Sequence, residues 1–331
     1  MNNYNPPFET TNVMLDRISS IMKNVGKLEN YKDLNKMPIL RRNNRIHSIH
    51  SSLAIEANSL SFNQVKDIIN GKTVVGPQSE IQEVKNAYNA YELIKELDPY
   101  SIKDLKKAHS VMTYLVVEES GKFRKGNEGV FDEKGDCIHV CPPPEQIDVL
   151  ISQLFNWMKQ SKDTLHPLIL SSIFHYEFVF IHPFSDGNGR IVRLWQNILL
   201  SNWEEIFEYV PIESQIKKYQ DEYYKTINDC NLSSNSTVFI EFMLKMIDET
   251  IENLLESTIT QGNRVSLYVD KLLDVMESGV EMTTSEMMSK LGLKSRISFR
   301  ENYLKPALEN GLVKMTIPDK PTSKNQMYYK V

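Results

Sequence analysis

Pro-Leu-Ile-Leu-Ser-Ser-Ile-Phe-His-Tyr-Glu-Phe-Val-Phe-Ile (167–181), His-Pro-Phe-Ser-Asp-Gly-Asn-Gly-Arg (182–190) and Ile-Val-Arg-Leu-Trp-Gln-Asn-Ile-Leu-Leu (191–200) run on without interruption. Asp-Gly and Asn-Gly are strong hairpin signals, and alone they would suggest a tight turn. The flanks are long apolar runs without strand alternation, so the stretch predicts a helix–loop–helix junction. A helix apolar on every side, as over 167–181, belongs at the centre of a core. The second helix is expected to begin near Asn188, with Arg190 and Arg193 on one face. Arginines in a first turn oppose the helix dipole and cost stability unless an anion sits among them. Gly187, Asn188 and Gly189 leave backbone N–H groups bare, the recipe for a phosphate cradle. Beside phosphates, the carboxylate of Asp186 reads as a ligand for Mg²⁺, which prefers one or two carboxylates plus phosphate oxygens. His182 is the group that can take a proton near pH 7, and Pro183 and Phe184 can pin the loop. Together these describe transfer from a nucleotide.

His182-Pro-Phe-Ser-Asp-Gly-Asn-Gly-Arg-Ile-Val-Arg193 resembles the complete signature of the Fic family, HxFx(D/E)GNGRxxR. The resemblance implies a mainly α fold, a helical core with a β-hairpin flap, and transfer of AMP from ATP to a Tyr, Ser or Thr hydroxyl of a target protein. His182 would deprotonate that hydroxyl, Phe184 would be a buried anchor, and Asp186 would hold Mg²⁺ against the α- and β-phosphates. Gly187, Asn188 and Gly189 would line the anion hole, Arg190 would bind the phosphates and Arg193 the γ-phosphate. The related Doc proteins, which behave as kinases, carry a bulkier residue at the position of Gly189, so the glycine favours AMP transfer.

Working upstream, Ile46, Ile49, Leu53 and Ala57 recur at helical spacing. Ser52 and Glu56 share one side of that helix, with Glu56 in its last turn, where the dipole disfavours an acid. A solvated glutamate is the bland reading; the apolar face around it and the arginine excess in the core speak against that. The stretch resembles the Fic inhibitory motif (S/T)xxxE(G/N), in which the glutamate pairs with the second signature arginine, here Glu56 with Arg193. Ala57 stands where that motif has Gly or Asn, and Asn58 is expected to supply the left-handed cap one place later. Some relatives with such a glutamate also remove AMP, so de-AMPylation is an alternative resting activity.

Ser61 with Gln64 reads as a capping box for a helix ending at Gly71. Further helices are expected over 80–97, from Ser101 to before Gly121, and from Glu145. Between them, residues 121–144 hold four glycines and no helical period, predicting a hairpin around Glu133-Lys134-Gly135-Asp136. In the family that hairpin lies along the target, which would place a partner protein on residues 127–141, with Ile138, His139 and Val140 as the strand. Tyr223, Tyr224 and Asn231 sit where some members contact adenosine, although a tyrosine pair on a helix is more often core. His109, His166 and His175 read as core or cap residues without assigned function.

Helices at 267–277, 284–291 and 298–309 followed by a ribbon predict a small winged helix-turn-helix domain over 264–331. The domains expected are thus 1–100 with the inhibitory helix, 101–260 as catalytic core, and 264–331. From Arg296 to Val331 seven Lys/Arg stand against three acids, so a competing reading is a DNA-binding regulator with an ATP-sensing core. A second copy of the chain is the other partner to consider.

The 331 residues carry 38 Lys plus Arg against 43 Asp plus Glu, a net charge of −5, which argues against a generally basic nucleic-acid coat. Three cysteines form no even framework or zinc pattern. No apolar run is long enough for a membrane span and the polar start resembles no signal peptide, so the expected compartment is the cytoplasm.

Overall fold

In the computed structural model, residues 4–30, 38–131, 137–277, 279–309, 311–321 and 323–331 are described, and the chain divides into two compact units, Met1–Asn253 and Leu254–Val331. The first is helical: α1 (Asn12–Asn30), α2 (Pro38–Ile55), α3 (Phe62–Ile69), α4 (Gln78–Glu92), α5 (Ile102–Met112), α6 (Pro144–Ser161), α7 (Pro167–Ile181), α8 (Asn188–Trp203), α9 (Ile212–Lys218) and α10 (Gln220–Ser233). A short antiparallel hairpin, β1 (Gly129–Phe131) and β2 (Cys137–Val140), lies between α5 and α6. The residues expected at its turn, 133–136, lie outside the described residues.

The junction is where the sequence placed it. Pro167 opens α7 at a position needing no N–H, and the imidazole of His166 caps it by accepting from Leu168 N–H at 3.3 Å. Leu168, Ile173, Phe174 and Phe178 of α7 and Ile191, Leu194, Trp195 and Ile198 of α8 are buried. Each such side chain contributes about 1.5–3 kcal/mol of burial, which makes this helix pair the centre of the unit. Helix α8 also packs against α5 and α2, bringing the end of α2 to the start of α8.

Helix boundaries differ from expectation in three places. The helix expected over 80–97 stops at Glu92 and continues only as a 3₁₀ turn, Ile94–Glu96. The one expected to approach Gly121 ends at Met112, because Thr113 turns back to His109 and Leu115 takes a left-handed φ of 61°. The capping box at Ser61 forms, with Ser61 N–H on Gln64 Oε1 at 3.0 Å. Helix α11 (Thr237–Val275) is one helix of 39 residues, so the separate helix expected at 267–277 is its last part.

The second unit holds the end of α11, α12 (Thr284–Lys290), a helix in three segments (Arg296–Phe299, the π-type turn Arg300–Leu304, Lys305–Glu309), and antiparallel strands β3 (Val313–Met315) and β4 (Tyr328–Lys330). Leu272, Met276, Met287, Phe299, Leu304 and Val313 are among its buried core. A capping box, Thr283 with Glu286, starts α12. Among the described residues no helix is long and apolar enough to cross a membrane.

Candidate active site

His182 ends α7 in the left-handed region, φ 50° and ψ 61°, with its N–H still donating to Phe178 O at 2.9 Å. That conformation costs a non-glycine residue about 1–2 kcal/mol, so the surroundings must hold it. Phe184 is fully buried and stacks on His109, ring centroids 3.6 Å apart and planes 6° apart. Asn188 clamps the loop: its Nδ2 donates to Phe184 O at 2.7 Å and its Oδ1 accepts from Phe184 N–H at 3.0 Å. His109 Nδ1 accepts from Gly121 N–H at 2.9 Å, so its Nε2 carries the proton and donates to Asp186 O at 2.9 Å. Burial pushes the His109 imidazole down to about 4, which keeps it neutral in this role. Gly187 takes a φ of 80°, and a Cβ there would stand 2.9 Å from Thr113 Cγ2.

Both signature arginines are buried and paired. Arg193 Nη2 donates to Glu56 Oε1 at 2.8 Å and to Ser52 O at 2.9 Å, while its Nε donates to Ser52 Oγ at 3.1 Å. Burial opposes its charge most strongly, but the Glu56 carboxylate together with Tyr223 and Tyr224 holds the guanidinium above its ordinary value. Arg190 Nη1 donates to Glu83 Oε1 at 2.6 Å and its Nη2 to Asp186 Oδ1 at 3.0 Å; its Nε is buried without a partner. The other Glu83 oxygen, Oε2, accepts from Asn58 Nδ2 at 2.8 Å. The anion expected among these arginines is therefore present as protein carboxylates.

Glu56 lies just past α2, its N–H on Leu53 O at 3.0 Å. The left-handed residue that closes this helix is Ala57, with φ 64°, and not Asn58 as the sequence suggested. The reason is tertiary: the Asn58 side chain is taken by Glu83, by the Glu80 carbonyl at 3.3 Å and by Leu60 N–H at 3.2 Å. Gly189 faces the Glu56 carboxylate so closely that a Cβ would stand 2.1 Å from Oε1.

His182, Glu56, Asn188, Gly189, Arg193, Tyr223, Tyr224 and Asn231 line one cleft, together with His139, Val179, Phe180, Ile227 and Asn228. Tyr223 is buried with its hydroxyl on His175 Nε2 at 2.9 Å, Tyr224 is exposed, and Asn231 Oδ1 accepts from Tyr176 O–H at 3.0 Å. Ser52, Asp186, Gly187 and Arg190 stand behind or beside the cleft and do not line it. The Asp186 side chain is 57% exposed. Burial, then the charge of Arg124, pushes the His182 imidazole down to about 4, so it is an unprotonated acceptor at neutral pH.

His175 is a core residue as expected, with Nδ1 on Gln196 Oε1 at 2.6 Å. Glu83, Arg124 and the role of His109 escaped the sequence reading. Glu83 stands next to the buried Val84 on α4, and an acid beside a core stripe is the signal that could have marked it. No local pattern marks Arg124.

The Fic/DOC family model matches residues 99–200, and that of the filamentation induced by cAMP protein Fic-like, C-terminal domain, matches residues 268–329. A crystal structure of a Fic family protein from Desulfovibrio desulfuricans G20 is similar with a TM-score of 0.74 and 37% identity, over 99% of this chain and 98% of that one. The protein adenylyltransferase Fic of Nematostella vectensis is 30% identical over 223 residues, 64% of this chain and 49% of the relative. That of Culex quinquefasciatus is 29% identical over 235 residues, 68% and 45% of the two chains. The chain spans about half the length of the curated relatives it matches.

Proposed function

Because the chain belongs to the Fic family, we propose that it transfers AMP from ATP to a hydroxyl side chain of a target protein. The observation that carries this reading is the convergence of neutral His182, Gly189 and Arg193 in one cleft at the N-terminus of α8. The target hydroxyl oxygen attacks the α-phosphorus, the bond to the bridging oxygen breaks, and pyrophosphate leaves. The hydroxyl proton passes to the imidazole of His182. Backbone N–H groups at residues 187–189, with Arg190 and Arg193, stabilise the phosphate charge. The buried, unpartnered Nε of Arg190 supports a role toward an anion.

Asp186 is an accessible carboxylate beside these phosphate-binding groups, and no group of three or more His, Cys, Asp or Glu suited to a metal occurs among the described residues. This donor set fits an ion shared between one carboxylate and a nucleotide, as Mg²⁺ prefers. Mg²⁺ held through Asp186 would neutralise charge on the departing pyrophosphate. Tyr224, Asn228 and Asn231 offer the far wall of the cleft to the adenosine. The target segment adds as a strand along the hairpin, where the side chain of Val140 is exposed.

In the resting state Glu56 occupies Arg193, which the nucleotide needs, and lies against Gly189. Autoinhibition follows: ATP can seat productively only when the carboxylate leaves. The test is incubation with Mg²⁺ and either α-labelled or γ-labelled ATP, for the native chain and Glu56→Gly. Label from the α-phosphate is expected on protein, more strongly with Glu56→Gly. Transfer of γ-label without α-label would replace this reading with phosphoryl transfer.

A further inference from the structure

The last carbonyls of a helix have no partners within it. At the end of α7 the carbonyls of residues 180–183 are each met by the segment that forms the hairpin. Phe180 O lies 2.8 Å from His139 Nε2, and Ile181 O accepts from Arg124 Nη2 at 3.4 Å. His182 O accepts from Arg124 Nε at 2.7 Å, and Pro183 O from the Arg124 backbone N–H at 2.9 Å. The same guanidinium donates to Gly126 O at 2.7 Å and Pro142 O at 2.6 Å, one on either side of the hairpin.

Arg124 is 2% exposed, and among the described residues it forms no ion pair. A buried cation held only by carbonyls is costly, so its retention calls for a reason beyond filling space. A cation at a helix C-terminus is favoured by the dipole, and the rigid guanidinium fork can serve several carbonyls in fixed directions where an ammonium cannot.

We propose that Arg124 is a positioning residue for His182, locking the base's left-handed backbone to both ends of the hairpin. A target segment on the hairpin and the imidazole that meets its hydroxyl are then held by one side chain. This rests on the reading of His182 as base. The charged and titratable groups acting on the His182 imidazole are Arg124 from the loop before the hairpin, His139 from β2 and Glu56 from the end of α2.

The test uses the full chain carrying Glu56→Gly, with Arg124→Lys and Arg124→Gln. Both should lower kcat for AMP transfer on the order of 10²-fold, the scale of a misplaced catalytic group, with KM for ATP changed by less than about threefold. A readout independent of transfer is the NMR titration of the His182 ring in the chain without Glu56→Gly. Arg124→Gln should raise its midpoint, and Arg124→Lys should displace its resonances while keeping the midpoint low. Should either protein fail to fold, His139→Ala removes the Phe180 tie, together with an imidazole that lines the cleft, and should lower kcat in the same direction. Folded Arg124 variants with unchanged kcat and unchanged His182 resonances would overturn the proposal, as would unchanged kcat in His139→Ala. If no variant transfers AMP but the His182 resonances move as described, the assigned activity falls while the positioning role stands.

Discussion

The α7–α8 junction and the C-terminal unit use charge in opposite ways. At the junction Arg124, Arg190 and Arg193 are all buried, and each is answered by carbonyls or carboxylates. All seven histidines lie in the first unit, with His109, His175 and His182 held far below their ordinary values by burial. In the second unit the core is aliphatic, aromatic and methionine-rich, and Gln326 is the sole buried polar side chain among the described residues. Its cations are outside: Lys294, Arg296 and Arg300 are exposed, and its ion pairs, Lys290–Glu277 at 3.5 Å and Lys305–Glu301 at 3.6 Å, are surface contacts. Buried charge is expensive and specific, whereas exposed charge is cheap and screened. Substitution should therefore change chemistry in the first unit and leave folding of the second nearly untouched.

The most severe break is His182→Ala. Loss of general-base help should lower AMP transfer by about 10²–10⁴-fold, measured with α-labelled ATP, while circular dichroism shows the same helical content. Next is release of Glu56: Glu56→Gly should raise auto-modification by about tenfold or more, since a bias of about 1.4 kcal/mol already suffices for that. Gly189→Ala offers a steric counterpart, because its Cβ would collide with Glu56 Oε1. It should speed hydrogen exchange over residues 53–58 whatever it does to turnover, and unchanged exchange would show that Glu56 does not depend on that space.

Acid should separate the two units. The folded state disfavours protonation of His109, His175 and His182, with folded values of about 4, 3 and 4. Their contribution to stability is complete above the unfolded value of about 6.5 and is lost as pH falls toward 4. Protection of core amides in α7 and α8 should weaken over that window, while the histidine-free second unit lacks this contribution. The acidic limb of kcat/KM should likewise lie near pH 4 and not near 6.5.

Smaller effects sharpen the same contrast. Ala57→Gly removes the strain of a left-handed alanine at some entropic cost, for a gain of about 0.5–1 kcal/mol in unfolding free energy. It should also seat Glu56 more firmly and lower resting auto-modification. Arg296→Ala and Arg300→Ala should alter stability by less than about 0.5 kcal/mol, read by urea unfolding.

Much of this was legible along the chain because its cause is local. The all-round apolar run of α7, the glycines at 187 and 189 and the Ser61 capping box act over a few residues, and the family signature concentrates in twelve. What stayed hidden is charge satisfied at a distance. Arg190 meets Glu83 across 107 positions, and Arg124 meets His182 across 58. Lys122, Arg124 and Lys125 look equally solvent-bound in sequence, and only the tertiary fold buries the middle one. Propensity favoured Asn58 as the left-handed cap, but its amide is committed to Glu83, and Ala57 takes the strained position. The break expected before 267 is absent because α11 runs through Gly262, since one glycine costs a long helix only about 1 kcal/mol.

Glu83 holds Arg190 with one oxygen and Asn58 with the other, two residues beyond the carboxylate that holds Arg193. A phosphate that draws Arg190 from Glu83 and a partner that lifts the 56–58 turn therefore act on one shared set of contacts. Linked equilibria are reciprocal: the factor by which ATP favours the lifted turn equals the factor by which a molecule that lifts it tightens ATP. Under the proposed autoinhibition, the trigger can thus be sought without any assay of modification, as whatever makes the protein hold nucleotide more tightly.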